Sequence, residues 1–169
     1  WHASKFTDIV KKNLEDCDFD VRQMIVWNKS VMVLSRSAYH WKHEPCWYAV
    51  KKGFDANWKG NRSQTTVWDA VSPNHIMSGS KEDKTEHPTQ KPVVLFEIPL
   101  INHTIKSDII YDPFCGSGTS LIAAEKLGRI CFAMEISPQY CDVIVKRWQK
   151  FTGKQAILEL TGQKFDEMR

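Results

Sequence analysis

Apolar and polar positions along this chain follow two periods, and their order predicts helices that alternate with strands. Apolar residues recur at helical spacing over 6–17, and shorter apolar runs predict strands over 21–27 and 46–50. The second half repeats the alternation, with a helix that opens near Pro92, strands over 109–111, 130–134 and 156–160, and helices that end at Gly128 and Gly153. Such an order predicts the α/β class.

A glycine turn is predicted between the strand at 109–111 and the helix that follows it. Gly116 and Gly118 supply the backbone freedom needed where a ligand approaches the main chain closely, and Thr119 is predicted to cap the helix. The next strand leads to Glu135, about 20 residues after the glycines, where nucleotide-type α/β folds place the acceptor for ribose hydroxyls. Together these residues predict a nucleoside pocket.

The spacing of the glycines distinguishes between nucleoside ligands. The dinucleotide pattern G-x-G-x-x-G fails because Leu121 stands at its last position, and no Gly-Lys-Ser/Thr follows, as a Walker loop requires. The stretch 112–119, Asp-Pro-Phe-Cys-Gly-Ser-Gly-Thr, instead resembles the S-adenosylmethionine loop of the DNA amino-methyltransferases. The segment 87–92, His-Pro-Thr-Gln-Lys-Pro, resembles a second signature of the same family.

The resemblance implies an α/β, three-layer, Rossmann-like fold with a mostly parallel sheet, and S-adenosylmethionine as the cofactor. It implies that Glu135 accepts hydrogen bonds from the ribose hydroxyls and that Asp112 faces the ammonium group of the methionine moiety. Phe114 is expected to offer an apolar wall, with Thr89 and Lys91 at the carboxylate side. The implied cofactor residues are Thr89, Lys91, Asp112, Phe114, Gly116, Gly118, Thr119 and Glu135.

The order of these blocks resembles the downstream part of the permuted β group of the family. The segment 40–53 resembles the block that follows the catalytic region there, and no two prolines of this chain are adjacent. The family's catalytic loop, Asp-Pro-Pro-Tyr or a close variant, is therefore expected upstream of Trp1, with no catalytic residue in this chain. We expect 1–169 to form a single methyltransferase domain that lacks one central strand and is catalytically inert by itself.

Positive charge is concentrated in one part of a chain whose net charge is only +3. Residues 29–62 hold seven basic and two acidic residues, interleaved with tryptophan and tyrosine, a combination suited to nucleic acid. A solvated basic face over core aromatics is the alternative from this window alone. With the resemblance, we expect double-stranded DNA as the partner, a target-recognition insertion at 54–86, and DNA contacts from Lys29, Arg36, Lys51, Lys52, Lys59, Arg62 and Gln64.

The activity that the resemblance implies is site-specific methylation of an exocyclic amino group, on a base flipped out of the duplex, as in restriction-modification systems. Adenine N6 is preferred over cytosine N4 as the target. Two alternatives stay open: a catalytically inactive methyltransferase remnant that binds DNA, and an RNA methyltransferase. A homodimer is also left open.

Composition excludes several other classes of protein. No apolar run approaches the length of a membrane span and no signal-peptide pattern opens the chain, which predicts a cytoplasmic location without membrane contact. The five cysteines form no C-x-x-C pair and are expected to be reduced. His40, His43 and Cys46 recur every third residue, but neither H-E-x-x-H nor paired zinc knuckles are present, so we expect no metal.

Overall fold

A computed structural model of the chain describes residues 1–73, 82, 85 and 90–168. The chain divides into two compact units. The first comprises Trp1–Glu82 with Ile101–Thr104, and the second comprises Asp83–Leu100 with Ile105–Arg169. Each unit contains its own sheet, and the predicted glycine turn belongs to the second unit.

The first unit contains a helix followed by a three-stranded sheet. A 3-10 helix at Ser4–Phe6 and α1 (Thr7–Asp16) precede β1 (Phe19–Val33), β2 (Trp41–Lys51) and β3 (Val67–Ala70). The strand order is β2-β1-β3, with β2 antiparallel and β3 parallel to β1. The strands predicted at 21–27 and 46–50 lie inside β1 and β2, and β3 lies within the interval 54–86.

The core of the first unit is built around the central strand β1. Trp27 is 2% exposed, and its indole Nε1 donates a hydrogen bond to the carbonyl of Ala70 in β3 at 2.9 Å. Pro45 lies within β2, opposite Val26. A proline cannot donate a ladder hydrogen bond, and it is accommodated here because β2 is an edge strand of this sheet.

The second unit alternates helices with two parallel strands. α2 (Val94–His103), whose last residues group with the first unit, precedes β4 (Ile109–Asp112), α3 (Thr119–Leu127), β5 (Ile130–Ala133), α4 (Pro138–Thr152) and a 3-10 helix at Phe165–Glu167. β4 and β5 pair in parallel from Ile109 opposite Ile130 to Asp112 opposite Ala133. Two parallel strands joined by a helix form the βαβ unit of a Rossmann-like fold.

Local sequence signals place the helix ends in this unit. Gly128 and Gly153 adopt left-handed backbone, with φ of 69° and 70°, directly after α3 and α4. Pro138 is the first residue of α4, as the Ser-Pro pair predicts. Pro92, which was expected in the first turn of α2, lies two residues before that helix begins at Val94.

The two faces of the β4–β5 pair differ in burial. Val93, just before α2, and residues of α2 and α3 cover one face, where the core consists of Val93, Leu100, Ile122, Ala123 and Ala124, with Ile110 and Cys131 packed against it. On the other face Ile109 is 66% exposed, Tyr111 62% and Phe132 58%. The adjacent apolar residues Ile109 and Ile110 predict a strand that is buried on both faces, but only Ile110 packs against the core, because successive residues of a strand point to opposite faces.

Two further expectations are corrected. The run 156–160 forms no strand: Ile157 makes an isolated bridge to Lys164, turns follow, and Leu160 is 92% exposed. Thr119 does not cap α3, because Gly118 holds the cap position and Thr119 is the first helical residue. Within the residues that the structure describes, no helix is long and apolar enough to cross a bilayer.

Candidate functional site

The turn between β4 and α3 is the first part of the candidate site. Its glycines adopt left-handed backbone, with φ of 58° at Gly116 and 77° at Gly118. The Gly118 N–H donates to the carbonyl of Cys115 at 2.9 Å. A Cβ atom on Gly118 would lie 3.2 Å from Cγ2 of Ile144 in α4, so the backbone angle and the packing both require glycine. Gly118 is therefore buried against α4, and Gly116 is the glycine whose main chain is partly exposed at the carboxyl end of β4.

Asp112, the last residue of β4, closes this turn with its carboxylate. The Phe114 N–H donates to Oδ1 at 3.0 Å, and the Ser120 hydroxyl donates to Oδ2 at 2.5 Å. One side chain thus joins the start of the turn to the first turn of α3. The sequence analysis predicted that Asp112 faces the ligand but did not identify its partner Ser120. Ser120 is 4% exposed and belongs to no motif that the sequence analysis used.

Glu135 joins the glycine turn to the strand that follows. The Gly116 N–H donates to Oε2 at 2.8 Å, and the Ser137 N–H donates to Oε1 at 2.9 Å. The Cys115 N–H also donates to the carbonyl of Met134 at 2.9 Å. A carboxylate that accepts two main-chain hydrogen bonds is held in one orientation, so Glu135 lies fixed beside the glycine turn at the carboxyl ends of β4 and β5.

The second signature also reaches the turn. The Thr119 hydroxyl donates to the carbonyl of Lys91 at 3.2 Å, and Thr119 is 4% exposed. Gln90 is 2% exposed, and its Oε1 accepts a hydrogen bond from the Thr85 N–H at 2.7 Å. The structure therefore places the main chain of Lys91 next to the Thr119 hydroxyl, so the two sequence motifs meet at this turn. Thr89, which was predicted together with Lys91 at the carboxylate side of the methionine moiety, lies outside the described residues.

Exposed apolar side chains follow both strands at the same edge of the sheet. Phe114, just after β4, is 87% exposed, and Ile136, just after β5, is 98% exposed. Because β4 and β5 are parallel, their carboxyl ends lie at one edge, so both side chains are available to a planar apolar ligand there. Ile136 was not predicted, although an apolar residue directly after a strand-ending acid is a signal that sequence reading could have used.

Two thiols lie behind the turn. Cys115 is 5% exposed, and its Sγ lies 3.8 Å from Oγ of Ser120. Burial raises the pKa of the Cys115 thiol from its ordinary value of 9.0 to about 11, and burial raises the pKa of Cys131 to about 11 as well. Cys17 is exposed.

We expect Cys115 and Cys131 to react far more slowly with iodoacetamide than Cys17, because the thiolate is the nucleophile. Peptide mass spectrometry after timed alkylation of the native protein measures the alkylation rate at each cysteine. Equal rates at Cys17 and Cys115 would contradict the shielding of the Cys115 thiol.

The raised pKa values also make the stability of the fold depend on pH. From pH 9 to 11 the unfolded state ionises these thiols and the folded state does not, so the free energy of unfolding falls over this window and is unaffected below it.

Three of the predicted DNA-contact lysines make contacts within the first unit. Lys29 Nζ lies 3.2 Å from Oε2 of Glu44, with both side chains largely buried, and Lys51 Nζ donates to the carbonyl of Cys17 at 2.7 Å. Lys52 Nζ lies 3.9 Å from Oδ1 of Asp18. These contacts connect β2 to β1 and to the residues that follow α1, which the sequence alone did not indicate.

The other predicted DNA-contact residues lie on exposed connections. Arg36 is in the connection between β1 and β2, where Leu34 is 75% exposed and Tyr39 is 88% exposed. Lys59, Arg62 and Gln64 lie before β3 and are exposed. Their connection is ordered by Asn61, whose Oδ1 accepts hydrogen bonds from the Ser63 N–H at 3.0 Å and the Ser63 hydroxyl at 2.6 Å.

The histidine and cysteine spacing in the first unit does not produce a metal centre. Across the described part of the chain, no group of three or more His, Cys, Asp or Glu side chains is placed to hold a metal ion. His43 instead contacts Trp41 edge to face at 5.5 Å between ring centroids.

Comparison with known proteins identifies the family. A family model described as DNA methylase matches residues 2–146. The Type II methyltransferase M.HinfI of Haemophilus influenzae is 26% identical over 174 residues, which cover 95% of this chain and 48% of that protein. The Type II methyltransferase M2.DpnII of Streptococcus pneumoniae is 30% identical over 142 residues, covering 79% of this chain and 53% of that protein. The chain spans about half the length of these curated relatives.

Solved structures show the same fold. The crystal structure of the M1.HpyAVI-SAM complex aligns with a TM-score of 0.70 at 30% identity, over 87% of this chain and 71% of that one. PvuII DNA methyltransferase, described as cytosine-N4-specific, aligns with a TM-score of 0.69 at 16% identity, over 87% and 60% of the two chains, and shows the fold alone. The predicted Rossmann-like fold class is thereby confirmed. The family model covers most of this chain, including the glycine turn and Glu135. The chain therefore belongs to the N6/N4 DNA methylase family.

Proposed function

We propose that the protein containing this chain transfers a methyl group from S-adenosylmethionine to the exocyclic amino group of a DNA base, with adenine N6 preferred over cytosine N4. The observation that carries the proposal is the 2.8 Å hydrogen bond from the Gly116 N–H to Glu135. It joins a glycine turn to an acid at the end of the neighbouring parallel strand, the arrangement that nucleoside-binding α/β folds use. Membership of the DNA methylase family supports DNA as the substrate.

The residues around the turn fit the parts of S-adenosylmethionine. Gly116 leaves partly exposed main chain in the turn, and a carboxylate such as Glu135 is a suitable acceptor for the two ribose hydroxyls. Phe114 and Ile136 offer exposed apolar surface for an adenine ring at the same sheet edge. We place the methionine moiety toward Asp112 and Lys91, with Thr89 as a further candidate outside the described residues.

In this proposal the chain holds and orients the donor. When bound, S-adenosylmethionine supplies a methyl group on a positively charged sulfur. Asp112 and Glu135 place two carboxylates at the carboxyl ends of β4 and β5, and negative charge there favours a ligand that carries ammonium and sulfonium groups. The hydrogen bonds that fix both carboxylates therefore contribute to the affinity for the donor.

The groups that hold the flipped base are proposed to lie outside this chain. The family's Asp-Pro-Pro-Tyr loop would bind the amino group of the target and stack on its ring. Residues 1–169 alone are accordingly proposed to be inactive, because they contain the donor-binding turn without that loop.

DNA contact is proposed for the exposed connections of the first unit. Between Lys29 and Glu44 the chain contains Arg36 and Lys42 and no acidic residue, and Tyr39 in the same connection is 88% exposed. Positive charge beside an exposed aromatic ring suits phosphate and base contacts. Arg62 and Gln64 form a second exposed group within the proposed target-recognition interval 54–86. We rank these residues above Lys29 and Lys51, whose charges are engaged within the unit.

Replacing Arg36 and Arg62 by alanine in the full-length protein is expected to weaken duplex binding and to lower the slope of log affinity against log salt by about 1 for each lost phosphate contact. Fluorescence anisotropy at several salt concentrations measures both quantities. The control is Lys11→Ala, which removes a surface charge that lies 3.7 Å from Glu15 in α1. An unchanged salt slope in the double variant would place the DNA elsewhere.

A labelled-donor assay tests the proposed reaction. The full-length protein is incubated with tritiated S-adenosylmethionine and either duplex DNA or RNA, and the recovered nucleic acid is hydrolysed to nucleosides for chromatography. Label in N6-methyladenine of the DNA supports the full proposal, and label in N4-methylcytosine corrects its target. Donor binding without transfer would favour the inactive DNA-binding remnant, and label confined to RNA would favour an RNA methyltransferase.

A further inference from the structure

Arg147 of α4 makes several hydrogen bonds to the glycine turn, although it lies some distance along the chain from it. Its guanidinium Nη1 donates to the carbonyl of Ser117 at 2.9 Å and to Oγ1 of Thr119 at 3.1 Å. The same nitrogen lies 3.3 Å from Oγ of Ser117. Ser117 is 3% exposed and Thr119 is 4% exposed, so the half-buried Arg147 donates to acceptors that are themselves buried, which strengthens the hydrogen bonds of a charged donor.

The Thr119 hydroxyl links Arg147 to Lys91. A guanidinium can only donate, so the Thr119 hydroxyl accepts from it and its own proton is left to donate. That proton is directed to the carbonyl of Lys91, 3.2 Å away. A continuous chain of hydrogen bonds therefore runs from Arg147 through Thr119 to Lys91, and it joins the two segments that carry the motif residues.

The position of Arg147 is not explained by stability of α3. Its cationic group lies beside the first residues of that helix, where the helix dipole is already positive, so its charge is unfavourable for the helix. An apolar or acidic residue would be better for α3 at this point. The observed arrangement instead gains a fixed orientation of the Ser117 carbonyl, which lies between the two glycines of the turn.

We propose that Arg147 is a positioning residue for the donor site: it orders the turn 116–119 and fixes it relative to Lys91. This proposal rests on the proposed function, since the turn must bind S-adenosylmethionine for its order to affect affinity. Arg147 acts through Ser117 and Thr119, so its loss lowers donor affinity and leaves the reaction of the bound donor intact.

Three variants of the full-length protein test this role. Arg147→Met removes the donor group and keeps an extended apolar chain, Arg147→Lys keeps the charge and part of the hydrogen bonding, and Lys146→Met removes a neighbouring exposed charge as the control. Calorimetry is expected to show donor affinity about 10- to 100-fold weaker in Arg147→Met, a smaller loss in Arg147→Lys and no change in Lys146→Met. The KM for the donor should rise while kcat at saturating donor stays within about twofold.

Amide hydrogen exchange without donor gives a second, ligand-independent result. Exchange at residues 116–119 should accelerate in Arg147→Met and not in Lys146→Met, with overall melting temperatures compared in parallel. Wild-type affinity in Arg147→Met, or a fall in kcat with unchanged KM, overturns the positioning role while the proposed function stands. A wild-type protein that binds no S-adenosylmethionine overturns both. If Arg147→Met does not fold, the affinity and KM of Arg147→Lys decide, and wild-type values there reject the proposal.

Discussion

Replacing Glu135 by alanine in the full-length protein is expected to weaken S-adenosylmethionine binding by about 1 to 3 kcal/mol. The substitution removes the proposed acceptor for the ribose hydroxyls. It also leaves the N–H groups of Gly116 and Ser137 without the carboxylate that accepts from them at 2.8 and 2.9 Å. Because the same side chain holds the turn, the free energy of unfolding should fall as well. Isothermal calorimetry and thermal unfolding without donor measure the two effects separately.

A second substitution and a control sharpen this result. Glu135→Gln keeps the shape but offers one acceptor oxygen to two N–H donors, so its affinity should lie between those of the wild type and Glu135→Ala. Glu159→Ala removes an exposed acid of the same unit and should change neither affinity nor stability. If Glu135→Ala bound the donor as the wild type does, the assignment of this acid to the site would be lost.

Gly118→Ala is expected to have a comparable effect for a steric reason. At φ 77° an L-residue costs roughly 1 to 2 kcal/mol, and the new Cβ would lie 3.2 Å from Cγ2 of Ile144. The turn must shift to relieve the contact, and any shift moves the Gly116 N–H away from Glu135. We therefore expect lower stability and a donor affinity reduced by about tenfold or more, measured by the same two methods.

Gly153→Ala is the matched control for this substitution. Gly153 has φ 70°, close to that of Gly118, but a Cβ there would meet nothing within 4 Å. Its replacement should therefore show the backbone cost without the clash and leave donor binding unchanged. The double variant Gly118→Ala with Ile144→Ala relieves the contact and should recover part of the affinity. Equal loss of affinity in Gly118→Ala and Gly153→Ala would mean that the contact with Ile144 is irrelevant to the site.

Much of the second unit could be predicted from short stretches of sequence. Gly128, Gly153 and Pro138 mark helix ends through backbone preferences that depend only on the residue and its neighbours. The pair of glycines before α3 and the acid after β5 are equally local signals. The prediction of a strand at 156–160 was wrong because it also used a local signal alone. A short apolar run indicates that burial is favourable, but a strand also needs a partner strand, and the run does not show whether one is present.

In the candidate site, the motif residues could be predicted from the sequence, and the residues that hold them in place could not. Asp112 and Glu135 belong to motifs of recognisable spacing. Ser120 and Arg147 are ordinary helix residues whose roles depend on how α3 and α4 pack behind the turn. The lysines of the first unit show the converse case. Lys29 and Lys51 look like free basic residues in the sequence, and only the pairing of β1 with β2 reveals their contacts with Glu44 and the carbonyl of Cys17.

The amino-acid sequence by itself determined the α/β class, the order of the motifs and the need for glycine at positions 116 and 118, because those properties follow from local backbone freedom and periodic burial. The tertiary structure alone decided that Glu135 closes onto Gly116, that Thr119 bonds to Lys91 rather than capping its helix, and that Arg147 reaches Ser117. Each of those contacts joins residues that are 19 to 30 positions apart. Residues so far apart in the sequence come into contact only when whole helices and strands pack together, and no short stretch of sequence encodes that packing.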